Sequence, residues 1–483
     1  MAVSFLRRRP GESAVGSPLW WLETLEAALN KRRPHMELMD RYYRGDHPLP
    51  FLTRTHESKM RTEFATLLAD SRSNFMRLVV DAVEERLAVE GFRLSAEDDP
   101  ISDKESWAIW QANQMDSESQ TALLESLVKG ASYISVWPGA GEHPEMAVED
   151  PLQTIVAYEA GSNYRRRSAA AKIWRDEWTG ELRANVYLPD GIYKYAGTAE
   201  PTAQVGTEQA RRVVGEAHSA WRPLPSDAFV QNPLGVVPIV PLRNRPRLLV
   251  EGESEIEDVY RIQNQINAFL FLLALAGYFG AHRQRWVVGL AIMEDERGNA
   301  KEPFNVAIDR LWQTENPDVK FGEFSQTSLD GYISAIEQKV LHIAVTTRTP
   351  RHYLEQAGQS PSGDAIEGAE AGLVKKTERK QGPFGEGLEE ALRLARAFAG
   401  SPAAPPDSEI VWRDPRTRSE ASVSDAVIKQ YQARIIPRST ALEKLGYSQT
   451  QVRQILSSPE EEFAPEPAPP APPGPAAEEE IPA

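Results

Sequence analysis

Four groups of side chains in this 483-residue chain could do chemistry, and each meets a physical obstacle. The run Glu251-Gly-Glu-Ser-Glu-Ile-Glu257 holds carboxylates close enough for acid–base work. Within it, Ser254-x-x-Glu257 has the form of a capping box, which makes the run a solvated helix start. The eight histidines include no H-E-x-x-H and no paired spacing, so no zinc site is expected. Ala441-Leu-Glu-Lys-Leu-Gly-Tyr-Ser-Gln-Thr-Gln-Val-Arg453 mimics a helix-turn-helix through Leu442, Gly446 and Val452. Its second helix offers Gln449, Gln451, Arg453 and Gln454 but little positive charge, so a small helical packing unit is the preferred reading. The basic runs Arg165-Arg-Arg167 and Lys375-Lys376 with Arg379-Lys380 are expected on solvated faces or at subunit contacts.

Other chemistries lack their residues. No G-x-x-x-x-G-K-[ST] occurs, so a P-loop motor is not expected, and no G-x-S-x-G elbow is present. Without cysteine there is no disulfide, thiolate metal site or thiol nucleophile, which fits a reducing compartment. The chain is expected to be no enzyme and to need no cofactor; an unfamiliar hydrolase site stays open as the alternative. The net charge is −16, seven units of it from the glutamates of the Pro/Ala-rich tail after Pro459. The body is still acidic, so a protein of this kind that meets DNA should not grip it. The tail should be disordered. Arg7-Arg-Arg9 resembles a signal-peptide start, but no apolar segment follows. The apolar run 268–276 is too short to cross a bilayer and follows Asn264 and Asn267, so it is expected to be a buried helix.

The elements around these groups follow from periodicity. A short amphipathic helix is expected around Trp20–Leu29, and a second helix ends at Gly45. Phe75, Leu78, Val79, Ala82 and Val83 mark one helix face. Leu87–Leu94 and Tyr133–Trp137 suit strands, and a Ser117-x-x-Gln120 box suits the start of the helix between them. Short strands are expected at Ile155–Tyr158, Ala171–Trp178, Arg183–Leu188, Ile192–Tyr195 and Glu409–Trp412. The fold class is therefore α+β. Val259, Ile262, Ile266, Phe269 and Leu273 are spaced 3, 4, 3, 4, and Ile333, Ile336, Val340 and Ile343 repeat the pattern. Such stripes suit helices packed lengthwise on others, or ordinary core helices. Thr349-Pro350 ends the second, a loop runs to Ser362, and a long helix follows from about Asp364 to Ala399 with a candidate break at Gly382-Pro383. Helices are expected at 419–433, 438–444 and 449–456.

The order of short motifs resembles the portal (head-tail connector) proteins of tailed double-stranded-DNA bacteriophages, in the siphovirus-type branch. The resemblance rests on Tyr42-Tyr-x-Gly45, Asn74 with Val79-Val-Asp-Ala-Val83, Arg86-Leu87, Gly91-Phe92, Trp110-x-x-Asn113 and Met115-Asp116. It continues through Gly130-x-x-Tyr133, Val136-Trp137, Asn232-Pro-x-Gly235 with Val237-Pro238, and Gly252-x-Ser254-Glu-Ile256. Pro361-Ser-Gly363, Glu370-x-Gly-Leu373 and Val411-Trp-Arg-Asp414 complete it. Arg261-Ile-Gln-Asn-Gln265 departs from it, standing where an acidic, Asn-containing stretch is expected.

The resemblance implies a portal fold: an α/β wing, two-helix stem, small clip insert, tunnel loop and helical C-terminal crown. Residues 1–36 would be a lead, 37–255 wing, 256–280 and 328–347 the stem helices, and 281–327 the clip. Residues 348–362 would be the tunnel loop, 363–418 the long helix and its return to the wing, 419–457 the crown and 458–483 the tail. It further implies a dodecameric ring at one capsid vertex, the channel for DNA packaging and ejection. Arg348, Arg351, His352, Gln356 and Gln359 would face DNA. Trp286, Phe304, Trp312 and Phe321 would dock the terminase large subunit and later a head-completion or adaptor protein. Major capsid and scaffolding proteins are the other implied partners. The location would be the virion, after assembly in the host cytoplasm, with no membrane involved. An adaptor or minor capsid protein is the alternative within the virion.

Overall fold

The computed structural model describes residues 13–47, 66–67, 69–94, 103–139, 141–198, 220–281, 285–288, 293–294, 300–301, 318–323, 328–354, 363–402, 404–405, 408–416 and 420–457. It divides into two compact units, one of residues 1–95 with 103–417, the other of 96–102 with 418–483. Both helices and antiparallel sheets are present, so the α+β expectation holds.

In the larger unit, helix α1 (Pro18–Arg44) begins where Ser17 Oγ accepts the Trp20 N–H at 3.2 Å, and it ends at Gly45, whose φ of 83° lets its N–H reach back to Arg41 and Tyr42. It is one helix, not a short one followed by another. Pro34 forfeits one backbone bond, but apolar residues on both sides of it are buried, in two different cores. Leu22, Leu25, Leu29 and Met36 pack on an antiparallel sheet with Ile155, Ile173, Leu182 and Val186. Met39 and Tyr42 enter the main core instead.

That sheet runs in the order β4 (Thr154–Tyr158), β5 (Arg167–Arg175), β6 (Leu182–Tyr187), β7 (Gly191–Thr198) and β8 (Ala220–Pro223), with β9 (Phe229–Gln231) also on β7. The main core gathers around a three-stranded sheet of β2 (Ala131–Trp137) between β3 (Glu145–Glu149) and β10 (Ile239–Arg243). Helices α2 (Phe75–Glu84), α3 (Lys104–Ala112) and α4 (Met115–Lys129) contribute Val79, Val83, Ile109, Trp110, Leu123 and Leu127 to it. The core also takes in the base of α5 (Tyr260–Ala281), the end of α6 (Asp330–Thr347) and the long α7 (Gly363–Phe398). β1 (Val89–Arg93) pairs with β15 (Glu409–Trp412), Phe92 opposite Ile410, which ties the chain after α7 back to the strand that follows α2.

Three boundaries differ from the sequence reading. α4 starts at Met115 without a side-chain cap, so Ser117 and Gln120 lie inside it. The corner before it is held by Asp116, whose carboxylate accepts from Trp110 Nε1 at 2.8 Å and Gln111 Nε2 at 2.9 Å. α5 starts at Tyr260, because the would-be capping box at Ser254 folds into turns that carry Glu255 inward. α7 runs unbroken through Gly382-Pro383. Here packing overrides the proline: Phe384 and Leu388 are fully buried, and a Cβ on Gly387 would sit 2.5 Å from Leu242 Cδ2.

The smaller unit contains α8 (Glu420–Gln432), α9 (Arg438–Lys444) and α10 (Gln449–Ser457), with Gly446 at φ 91° in the last turn.

Candidate channel and docking elements

The two striped helices pack against each other. Ile266 and Ile343 are fully buried, Val340 is nearly so, and Val259 is buried just before the first helix. Ile262 and Ile336 are partly buried against the main core. Phe269 and Leu273 are half-buried. Ile333 is 44% exposed, and Leu272, Tyr278 and Val345 are exposed as well. Each helix therefore buries its base in the main core and carries uncovered apolar surface.

Polar joints hold these bases. Gln263 donates to Ser73 O and accepts from Phe75 N–H; Asn267 accepts from Ser73 N–H at 3.2 Å and donates to His47 Nδ1 at 2.8 Å. His47 in turn gives its Nε2 hydrogen to Tyr42 O, which fixes the neutral tautomer, and burial pushes its pKa down. Gln263, in the polar stretch that departs from the resemblance, and Asn267 beyond it thus lock the first helix to the segments around His47 and Ser73.

A second joint joins both helices to α7. Glu255 is buried and accepts from Lys376 at 2.6 Å and from Lys380, whose ammonium also reaches Asn244 Oδ1. Lys376 additionally donates to Thr347 O at 2.7 Å, satisfying a terminal carbonyl of α6 and meeting the negative end of its dipole. Burial alone would raise the Glu255 carboxyl; the two lysines outweigh it and hold the pKa at about 2. At Lys380 burial wins and lowers the pKa. One carboxylate shared between two ammoniums accounts for that asymmetry, and we take Glu255 as charged at neutral pH.

These joints correct two readings. The 251–257 run is no solvated helix start: Glu251 and Glu255 are buried, and Glu251 accepts from Arg32, Tyr158 and Tyr133. Of the basic runs, Lys375, Arg379, Arg165 and Arg166 are exposed, but Lys380 is buried. The side chains of Lys376 and Arg167 are nearly so, Arg167 paired with Glu390 at 2.6 Å. A signal existed: Leu373, Thr377, Lys380 and Phe384 are spaced 4, 3, 4, so Lys380 occupies a stripe position.

Beyond Thr347 the chain turns through Arg348 at φ 57°, a left-handed cap that usually selects glycine. α7 passes beside it, an added Gly372 Cβ lying 3.8 Å from Arg348 Cβ. Arg348 and Arg351 are exposed. His352 is partly buried, set edge-on to Tyr353 and 3.6 Å from Glu370. Tyr353 donates to Glu370 at 2.7 Å and accepts from Arg86, which also bridges to Glu370 at 3.2 Å. Gln356 and Gln359 lie outside the described residues. Tyr353→Phe is expected to remove about 1.5–3 kcal/mol of local stability, as for a hydrogen bond to a charged group. Faster amide exchange at residues 351–354 with unchanged exchange in α4 would register it.

In the insert between the helices, β11 (Arg285–Val288) pairs antiparallel with β14 (Lys320–Glu323), Trp286 opposite Gly322 and Val287 opposite Phe321. A shorter ribbon pairs β12 (Met293–Glu294) with β13 (Ala300–Lys301). Phe304 and Trp312 lie outside the described residues. No described helix is long and apolar enough to cross a membrane, and no cluster of metal-ligating side chains occurs among the described residues.

The described residues thus form an α+β body, a helix pair flanking a small β insert, and a long helix beyond the pair, the arrangement expected from the resemblance to phage portal proteins. The chain belongs to that family: residues 22–462 match the family described as phage portal protein, SPP1 Gp6-like. It is similar to the portal protein of Mycobacterium phage D29, with 30% identity over 480 residues covering 94% of this chain and 91% of the relative. It is also similar to the portal protein of Mycobacterium phage L5, with 33% identity over 411 residues covering 81% and 79%. Its role is therefore structural, in the portal of a bacteriophage.

Proposed function

We propose that the chain closes into a homo-oligomeric ring, a dodecamer in the virion, whose tunnel passes double-stranded DNA during packaging and ejection. The observation that carries this is the helix pair: its base is locked into the wing by Gln263, Asn267 and Glu255, while Ile333, Leu272 and Tyr278 stay uncovered. Apolar surface on a rigidly held hairpin suits packing against the same hairpin of a neighbour. Residues 37–255 then serve as wing, 256–280 and 328–347 as stem, 281–327 as clip and 419–457 as crown. The ribbon carrying Trp286 and Phe321 would dock the terminase large subunit and, after packaging, a head-completion protein. Capsid and scaffolding proteins would surround the wing. The chain has no ATPase activity of its own in this reading, and force comes from the terminase. Negative-stain images of the purified chain test the ring directly: single protomers at every concentration would sink it.

Arg348 and Arg351 are the tunnel's cations, sparse enough that each phosphate contact breaks as the duplex moves. Arg351→Glu is expected to leave rings intact and to lower the DNA content of filled heads severalfold. Shortening 355–360 should act the same way. Full-length DNA and normal infectivity in both variants would put this segment away from the channel.

A further inference from the structure

Between the end of α6 and Leu354 the chain is held at two points, and the exposed Arg351 lies between them. At the first point Thr349 and Pro350 are buried. The Thr349 N–H reaches back to Ala344 O at 3.0 Å, and its hydroxyl meets that of Thr347 at 2.8 Å. The second point is Tyr353. Its N–H closes a 3-10 turn on Pro350 O at 3.1 Å, and the Leu354 N–H closes on Arg351 O at 2.9 Å. Arg351 is thus part of a turn whose far end is the Tyr353 side chain. That hydroxyl accepts from Arg86 Nη2 at 2.6 Å and donates to Glu370 Oε1 at 2.7 Å. Arg86 is the hub. Its other terminal nitrogen donates to Ala82 O at 3.2 Å, in the last turn of α2, and Nη2 also meets Glu370 Oε2 at 3.2 Å. One guanidinium ties α2, the turn and α7 together.

We propose that Tyr353, with Arg86 and Glu370 behind it, is the positioning residue for the Arg351 guanidinium, and so sets where the phosphate backbone of passing DNA meets that cation. This rests on the channel reading above. Tyr353 and Leu354 pack on the main core, but apolar packing is non-directional and does not fix how the turn is rotated. A hydroxyl used at once as acceptor and donor, between two charged groups, fixes its direction. The side chains of Arg86 and Glu370 are 12% and 4% exposed, so solvent and salt screen the relay little. An exposed arginine on a moving phosphate makes a weaker contact than these charge-assisted bonds, so that contact breaks before the turn shifts. A buried ion pair gains little stability over apolar packing of the same volume. Ending such a pair on the hydroxyl of a surface turn has a use where the placement of the turn matters. His352, 3.6 Å from Glu370, belongs to this anchor and not to the DNA-facing set.

Tyr353→Phe keeps the buried Arg86–Glu370 pair and the apolar contact of the aromatic ring, and removes only the relay. Heads are assembled in infections in which the full-length variant supplies the only portal, carrying Tyr353→Phe, Arg351→Glu or both. DNA-filled heads are counted per assembled portal. Tyr353→Phe is expected to lower filling by about threefold or more and Arg351→Glu by a similar factor, with no further loss in the double variant, because a residue that acts through Arg351 then has nothing left to position. Losses that multiply in the double variant would overturn the proposal, since Tyr353 would be acting independently. Normal filling with Tyr353→Phe beside defective filling with Arg351→Glu would overturn it and leave the channel reading standing. Normal filling with Arg351→Glu would remove the channel reading and this assignment with it. Should Tyr353→Phe fail to assemble, Arg86→Lys takes its place under the same outcomes: it keeps a cation beside Glu370 but cannot also hold Ala82 O and the Tyr353 hydroxyl.

Discussion

Glu255→Ala is expected to lower unfolding free energy by about 3–5 kcal/mol, the cost of leaving buried charges without their partner. The carboxylate sits between Lys376 and Lys380, and both ammoniums would be stranded against Asn244 and the end of α6. Denaturant melts followed by tryptophan fluorescence would measure the loss. A change below about 1 kcal/mol would mean the lysines swing into water at little cost. Glu255→Leu with Lys376→Met and Lys380→Met should recover much of the stability, since apolar replacement of a whole buried ion cluster is often near neutral. The pH dependence carries the same signature. The folded carboxyl, at about 2, lies below its ordinary value of 4.5, so its contribution is complete above about pH 4.5 and disappears as pH falls toward 2. Glu255→Ala should flatten stability across that window. An unchanged acid limb would show that other carboxylates govern it.

Residues that announce themselves by period were legible in sequence. The stripe at Ile336, Val340 and Ile343 packs on the main core, and the strand at Tyr133–Trp137 forms the middle of its three-stranded sheet. Turn residues punctuated correctly at Gly45 and Gly130, where the backbone needs positive φ. What stayed illegible depends on partners far away in sequence. Nothing local to Ser254-Glu-Ile-Glu257 says that Lys376 and Lys380 will claim Glu255 and unwind the capping box. Nothing near Pro34 or Pro383 says that buried neighbours will hold both helices straight through. Gln263 fell in the departing stretch and Asn267 just beyond it, but only His47, Ser73 and Phe75 show what they hold. Charge statistics fail for the same reason: a lysine counts as solvated until its stripe position and its carboxylate are seen together.

The helix pair α5–α6 offers a pair of substitutions that separates fold from the proposed assembly. Val340 is 6% exposed and packs in the main core, so Val340→Asp buries a carboxylate among apolar side chains and should cost the protomer several kcal/mol. Ile333 lies two turns earlier on the same helix and is 44% exposed, so Ile333→Asp should change protomer stability by no more than about 0.5 kcal/mol. In the proposed ring the same position would face a neighbour, and the carboxylate would have to be desolvated at every interface. A penalty of about 2 kcal/mol per contact weakens each by roughly thirtyfold, and closure compounds that factor around the ring. The expected outcome is an unshifted melting curve with sedimentation dominated by protomers and short arcs. Ile336, half-buried between the two, should show part of each effect. Intact rings carrying Ile333→Asp would turn this face of the helix toward solvent or the channel, and the neighbour would then have to pack on Leu272 and Tyr278 alone.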